Sequence, residues 1–223
     1  LNSTGVSAAQ LAALNAQKGI EVIGSSAALT AIDASYFTQT VYRVDAALTA
    51  ALTMSNIAAD TLELGAGITG VAGDALTLSG TLPGQTATLE FNGAAAVTLA
   101  GTDAGAGFTG LTISSNITTV NILSSTTGTA AVTNAIANAG ATTATHAIDN
   151  VSATNFVLTG TQAFTITKGA TAGFTNGVNF DASTGFSGVL TIDGSASADV
   201  IKGGSGNDFI EGMGGNDQLT GGA

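Results

Sequence analysis

Apolar residues recur along most of this chain at every second position, in short runs separated by segments rich in Gly, Ser, Thr and Asn. Such alternation puts successive side chains on opposite faces of an extended backbone, so it predicts half-buried β-strands. Thr61-Leu-Glu-Leu64, Leu76-Thr-Leu78, Thr88-Leu-Glu-Phe91, Val97-Thr-Leu99, Leu111-Thr-Ile113 and Val120-Asn-Ile-Leu123 are the clearest cases. They begin 9 to 15 residues apart with glycine-bearing turns between them, as in a sandwich, a barrel or an irregular solenoid. Phe156-Val-Leu158, Phe164-Thr-Ile166 and Val189-Leu-Thr-Ile192 continue the series.

Three stretches follow a different pattern. Ser7 to Gln17 combines a serine cap with Ala and Leu at helical spacing and a Lys18-Gly19 stop, which predicts a helix, and a strand-like Glu21-Val-Ile23 follows it. Asp45 to Thr53 suits either a capped helix or two short strands. Thr129 to Asn138, ended by Ala139-Gly140, is expected to form one more short helix. The expected division is a helical lead with the first strand at 1–28, a Thr/Ala/Gly-rich β body at 29–192, and a repetitive end at 193–223.

That end repeats with a period of nine. Shifted by nine residues, the segment from Gly194 puts Asp199, Asp208 and Asp217 in one column and Ile201, Ile210 and Leu219 in another. Gly203 to Glu211 reads G-G-x-G-x-D-x-U-x without a mismatch, U being a large aliphatic residue, and Gly212 to Thr220 departs only by Met213 at the second glycine. Glycines admit the turns that aim several carbonyl oxygens at one point, and the aspartate adds an anionic oxygen, a donor set suited to a hard cation. The x-U-x triplet is a short strand with its aliphatic side chain inward. Two carboxylates about 4 Å apart repel by roughly 4 kcal/mol at an effective dielectric near 20, so stacking these turns calls for a cation between them.

The nonapeptide resembles the calcium-binding parallel β-roll repeat of the RTX family of exported bacterial proteins. In that family two nonapeptides make a coil, and Ca2+ sits between turns on the same side, one full coil apart. The resemblance implies that one side offers the carbonyls of Ser195 and Ser197 with the Asp199 carboxylate, facing Gly212, Gly214 and Asp217. On the other side Gly204, Gly206 and Asp208 would face the turn beginning at Gly221. Looking backward, Gly203, Ser205 and Asp208 would face the Gly185–Leu190 turn, where Leu190 stands in the aspartate's place and Ile192 continues the aliphatic column. The implied fold is all-β: a β-solenoid or β-sandwich-like body with short helices, ending in a calcium-binding parallel β-roll.

Upstream, Ile32-Asp-Ala-Ser-Tyr-Phe37 is similar to Phe180-Asp-Ala-Ser-Thr-Gly-Phe186, with Ala147-Ile-Asp-Asn-Val-Ser152 a looser copy. In this setting the segments resemble the bodies of type I-secreted surface-layer proteins. They read equally well as a common Asp-Ala-Ser turn.

Composition narrows the partners. The net charge is −11 and the cations are Lys18, Arg43, Lys168 and Lys202, too few to neutralise a run of phosphates, which excludes nucleic acid. The chain has no cysteine, so neither disulfides nor thiol catalysis is available. No run of 18 apolar residues predicts a transmembrane segment, and no basic, apolar leader opens the chain. Because it starts at Leu1 and stops within a third Gly-Gly unit, it is expected to be part of something longer.

Other motifs carry less. Gly65-Ala-Gly-Ile-Thr-Gly70 with Glu90 fits the spacing of a dinucleotide fingerprint, but the alternating Val71 to Gly80 segment does not begin a helix there. Asn2, Asn116 and Asn150 lie in N-x-S/T sequons expected by chance at this Ser/Thr content. His146 is the single histidine and has no sequence partner for a triad or a zinc site. Asp193 and Asp199 could pair as catalytic carboxylates, but their place in the repeat favours calcium.

The expected protein is not an enzyme. It is a structural subunit of a calcium-dependent bacterial surface layer at the cell surface, exported by type I secretion. Its expected partners are copies of itself, with cell-surface polysaccharide a further candidate. A calcium-stiffened adhesin segment and the carrier region of a secreted enzyme are the alternatives. Aspartates in Gly- or Ser-rich turns, among them Asp33, Asp74, Asp103, Asp149 and Asp181, are candidates for ion-mediated contacts between subunits. His146→Ala should leave folding and assembly unchanged, as monitored by circular dichroism and electron microscopy. Loss of an ester or peptide hydrolysis activity on that substitution would overturn the non-catalytic expectation.

Overall fold

The computed structural model describes residues 22–25, 30–38, 40–48, 50–72, 74–102, 110–139, 147–166 and 172–222. All the strand pairing among them is parallel, and it builds three sheets. Sheet A stacks nine strands: Val22–Ser25, Val41–Val44, Thr61–Leu64, Gln85–Phe91, Ile117–Ser124, Asn155–Gly160, Asn179–Asp181, Val200–Lys202 and Gln218–Thr220. Sheet B stacks five: Ala31–Asp33, Leu52–Ile57, Leu76–Gly80, Leu111–Ser115 and Ile148–Asp149. Sheet C stacks six: Ile68–Ala72, Thr98–Thr102, Thr133–Ala139, Ala163–Ile166, Leu190–Asp193 and Phe209–Glu211. Successive strands along the chain fall in different sheets, so the chain winds as a β-solenoid and each coil lies on the one before it. Parallel pairing excludes a hairpin-built sandwich.

The alternating sequence pattern becomes ladders of like side chains. In sheet C, Ile68, Leu99, Ile136, Ile166, Ile192 and Ile210 stand in one register column. In sheet A the column Val120, Phe156, Phe180, Ile201 and Leu219 runs through the same coils. Leu52, Leu76, Leu111 and Ile148 form a third ladder in sheet B. Each fully buried member removes enough apolar area from water to contribute about 1.5–3 kcal/mol. Phe156 stacks on Phe180, with ring centroids 6.3 Å apart, and meets Phe174 edge to face at 5.2 Å.

Buried polar side chains fix two corners. Asn134 accepts a hydrogen bond from the Val97 amide at 2.9 Å and donates to Ser124 Oγ at 3.1 Å and to the Ser125 carbonyl at 3.0 Å. Asn150 donates to the Ala153 and Asn176 carbonyls, at 3.0 and 3.2 Å, and accepts from the Asn176 amide at 2.9 Å. An Asn buried in this way fits the corner and makes a poor glycosylation acceptor.

Most of the strands expected from alternation form where the pattern puts them, the first as Val22–Ser25. The helix expected at Thr129 to Asn138 is instead the strand Thr133–Ala139. Alanine favours helix locally, but here the backbone pairs on both sides and Ile136 fills the sheet C ladder, so tertiary contacts override propensity. Asp45 to Thr53 takes the strand alternative, with Leu48 bridging to Ile68 and a strand from Leu52. The short helical element among the described residues is one 3-10 turn, Ala34–Tyr36. After Gly65 the chain enters the strand Ile68–Ala72, so no helix begins at the fingerprint-like glycines. The Ser7–Gln17 helix and His146 lie outside the described residues.

The Asp-Ala-Ser similarity is a shared corner. Asp33 Oδ1 accepts from the Ser35 amide and hydroxyl at 3.0 and 2.6 Å, and Asp181 Oδ1 accepts from the Ser183 amide and hydroxyl at 2.9 and 2.6 Å. Ile32 belongs to sheet B and Phe180 to sheet A, so one turn chemistry serves two different places in the coil. In the looser copy Asp149 accepts the Thr175 hydroxyl at 3.1 Å, while Ser152 donates to the Ile117 carbonyl at 2.9 Å. The Ser183 hydroxyl, against the opposing effect of burial, holds the Asp181 carboxyl below its usual range. A depressed folded-state pKa means that this corner's contribution is present above the ordinary aspartate range and is lost as pH falls below it.

Phe156→Ala should lower stability by about 3–5 kcal/mol in chemical denaturation, because it leaves a cavity between Phe174 and Phe180. A loss below about 1 kcal/mol would show that the aromatic column does not hold the coils together.

Candidate metal centre

The nonapeptide end continues the solenoid. Along sheet A, Asn155 pairs with Asn179, Asn179 with Val200, and Val200 with Gln218, so each coil is shorter than the one before it. Sheet B drops out and the coil narrows to two sheets. Strands Val200–Lys202, Phe209–Glu211 and Gln218–Thr220 alternate between sheets A, C and A. The turns 194–199 and 212–217 therefore lie on one side of the roll. Turn 203–208 and Gly221 lie on the other.

Each repeat aspartate spans two coils. Its Oδ1 reaches backward: Asp199 accepts from the Val178 amide at 2.8 Å, Asp208 from the Leu190 amide at 2.9 Å, and Asp217 from the Asp199 amide at 3.0 Å. Its Oδ2 folds over the first glycine of its own turn. A Cβ on Gly194 would sit 2.5 Å from Asp199 Oδ2 and 2.7 Å from the Gly212 carbonyl oxygen. A Cβ on Gly203 would press on Asp208 Oδ2 and the Gly221 carbonyl oxygen together, and one on Gly212 would meet Asp217 Oδ2. At Gly194 and Gly203 the absence of a side chain thus lets a carboxylate oxygen and a carbonyl oxygen of the next coil approach the same point.

The remaining sequence-predicted residues have distinct placements. Gly204 and Gly206 lie against the Phe186 and Gly188 carbonyls of the coil beneath, closely enough that a Cβ would overlap each. Ser205 donates its amide to the Phe186 carbonyl at 3.1 Å. The Ser195 carbonyl accepts the Gly214 amide at 3.2 Å, and the Ser197 carbonyl oxygen lies 3.2 Å from the Ser195 hydroxyl oxygen. Met213, the departure from the motif, takes a positive φ of 68°. Leu190, in the aspartate's position, points inward as a fully buried core residue and gives its amide to Asp208.

Asp208 Oδ2 tests whether a cation fits. It is buried and has no hydrogen-bond partner. An unpaired buried carboxylate oxygen is costly, so its position beside the Gly221 carbonyl suits a bound cation. A cleft of about 660 Å³ opens on this side, lined in part by Ser183, Phe186, Gly203, Gly204, Ser205 and Thr220. Among the described residues no three His, Cys, Asp or Glu side chains converge, so main-chain carbonyls must supply much of any coordination shell. That all-oxygen set fits calcium better than a softer transition metal.

The family model of the RTX calcium-binding nonapeptide repeat (4 copies) matches residues 192–223. Residues 192–223 are RTX repeats. They bind calcium ions, and the oxygens best placed to hold one are at the Gly203 turn, where the unpaired Asp208 Oδ2 lies beside the Gly221 carbonyl. Once bound, calcium supplies positive charge and flexible oxygen coordination between coils. No curated protein and no solved structure matches the chain.

Sequence reasoning did not single out the Ser195 side chain. Its hydroxyl donates to Asp199 Oδ1 at 3.0 Å, and its amide to Oδ2 at 2.7 Å. The available signal was a hydroxyl residue at the motif's second glycine. Of the aspartates outside the repeat, Asp33, Asp149 and Asp181 are engaged in the local bonds described above, Asp74 also has a partner, and Asp103 lies outside the described residues.

Asp208→Asn keeps the shape and removes the charge. It should weaken apparent calcium affinity at least about tenfold, or about 1.4 kcal/mol, in melts followed by circular dichroism. With chelator the variant should equal or exceed the parent, since the unpaired carboxylate is gone. Equal losses in calcium and chelator would refute an ion-binding role for this oxygen.

Proposed function

We propose that this protein is a structural, non-catalytic subunit of a calcium-dependent bacterial surface layer, exported by type I secretion and assembled from copies of itself outside the cell. The observation that carries the proposal is the continuity of sheet A, nine parallel strands from Val22–Ser25 to Gln218–Thr220. A calcium roll continuous with a long stacked body is suited to bearing load, because stiffening the last coils stiffens the surface they extend. Export before folding agrees with a chain whose end requires an ion scarce in the cytoplasm and abundant outside. No helix among the described residues is long and apolar enough to cross a membrane.

Charge supports ion-mediated contacts between copies. Both cations among the described residues are engaged within the chain. Arg43 pairs with Asp45 and Glu63, and Lys202 pairs with Asp181 at 3.1 Å. Glu63 is further bound by the Asn92 amide group at 2.8 Å, while burial and then the neighbouring Glu63 push the Glu90 carboxyl above its usual range. A chain at −11 with its described cations already paired has few groups with which to attract its own copies directly. Divalent ions between carboxylates supply that attraction, and monovalent salt only screens repulsion.

Electron microscopy of the protein in millimolar calcium should show ordered sheets that dissolve on chelation. Sodium chloride with chelator should not restore them. Sheets forming equally well in sodium chloride with chelator would refute ion-mediated contacts. Separate rods in calcium would refute surface-layer assembly and favour the adhesin alternative.

A further inference from the structure

Turns 194–199 and 203–208 follow one motif but satisfy their aspartates differently. In the first, Asp199 Oδ1 accepts the Val178 amide at 2.8 Å and the Ser195 hydroxyl at 3.0 Å, while Oδ2 accepts the Ser195 amide at 2.7 Å. Ser195 is fully buried and Asp199 is 1% exposed, so these donors replace water. The Ser195 hydroxyl also receives the Ser197 amide at 3.0 Å, which closes the turn on itself. In the second, Asp208 Oδ1 accepts the Leu190 amide at 2.9 Å and Oδ2 is left buried without a partner.

Gly204 has a main-chain amide like that of Ser195 but does not give it to Asp208, and the side-chain difference between the turns is at the second position of the motif. It is Ser195 in the first turn and Gly204 in the next. No hydroxyl can be carried at Gly204, because a Cβ there would overlap the Phe186 carbonyl oxygen. A buried carboxylate is stable only if charge or donors compensate its lost hydration, and hydrogen bonds to an ionised acceptor are roughly twice as strong as neutral ones. Asp199 has those donors within the protein. Asp208 lacks them on one oxygen.

We propose that Ser195 performs in turn 194–199 the compensating role that calcium has in the later turns, so this turn closes without the ion and calcium is first required at Asp208. The proposal rests on the calcium-dependent ordering of the roll and locates where that dependence begins. A second feature agrees with the boundary. Strand Val200–Lys202, which follows the serine-closed turn, pairs with Asn179–Asp181 and is tied to it by the Lys202–Asp181 bond at 3.1 Å, and Ile201 is fully buried. Without calcium the solenoid should thus remain ordered through Lys202, offering a finished strand edge on which residues 203–222 order when calcium is added.

Site-resolved hydrogen exchange on the whole chain, in calcium and in chelator, tests this. The Val178 and Ser195 amides, both held by Asp199, should keep their protection in chelator. The Leu190 amide, held by Asp208, and the Gln218 amide, held by the Asp199 carbonyl at 2.8 Å, should lose about tenfold or more. Ser195→Ala should move Val178 and residue 195 into the calcium-dependent class, with calcium restoring their protection. Loss at Val178 and Ser195 together with Leu190 in the unsubstituted chain would overturn the proposal and leave the calcium-ordered roll standing. So would full protection of Val178 in Ser195→Ala with chelator. Protection at Leu190 and Gln218 that ignores chelator would overturn both the proposal and the calcium dependence beneath it. The comparison within the unsubstituted chain decides the matter even if the variant fails to fold.

Discussion

The stack depends on register: each coil must set its inward residue directly over that of the coil before it. Ile68, Leu99, Ile136, Ile166, Ile192 and Ile210 meet this condition across six strands, and the Val120–Leu219 column meets it in the facing sheet. A slip by one residue would turn every inward side chain outward, so parallel pairing and apolar burial enforce one another. The same constraint makes the molecule quasi-one-dimensional. Each coil is stabilised mainly by its neighbours, and order propagates along the axis.

Burial along that axis is uneven. Where the coil is wide, phenylalanines at 91, 156, 164, 174 and 180 fill it and are sealed from solvent. As the coil shortens to a pair of nonapeptides the interior thins, and the last fully buried large apolar side chain is Ile201. Phe209 and Leu219 remain 59% and 46% exposed. Ordering each residue costs about 1–2 kcal/mol of backbone entropy. Apolar burial offsets that cost in the body, but the roll has no comparable interior, so its aspartates and carbonyls have to obtain the difference from bound cations.

Between these regimes lies a single coil that uses neither device fully. Turn 194–199 is too polar to be core, yet its aspartate is compensated by Ser195 and the Val178 amide. Such a joint lets an ion-dependent end be attached to an ion-independent body without a break in sheet A. It also explains why a hydroxyl residue occupies a position where the motif asks for glycine.

The sequence by itself determined what depends on local periodicity, namely most of the strand positions from Thr61 onward and the inward placing of Ile201 and Ile210, while the resemblance of the nonapeptide implied the division of Asp199 and Asp217 from Asp208 between two sides. Alternation and a nine-residue phase act over a short span of chain, so they can be read without knowing the neighbours. Tertiary structure alone decided that Thr133–Ala139 is a strand, because alanine's helical preference yields only to pairing with Thr98–Thr102 and Ala163–Ile166. It alone decided that the two Asp-Ala-Ser segments belong to different sheets. It also brought the Val178 and Leu190 amides of the preceding coil to Asp199 and Asp208. Whether a carboxylate oxygen is satisfied depends on donors that packing brings to it, such as the Val178 amide from the preceding coil, and no local pattern records that approach.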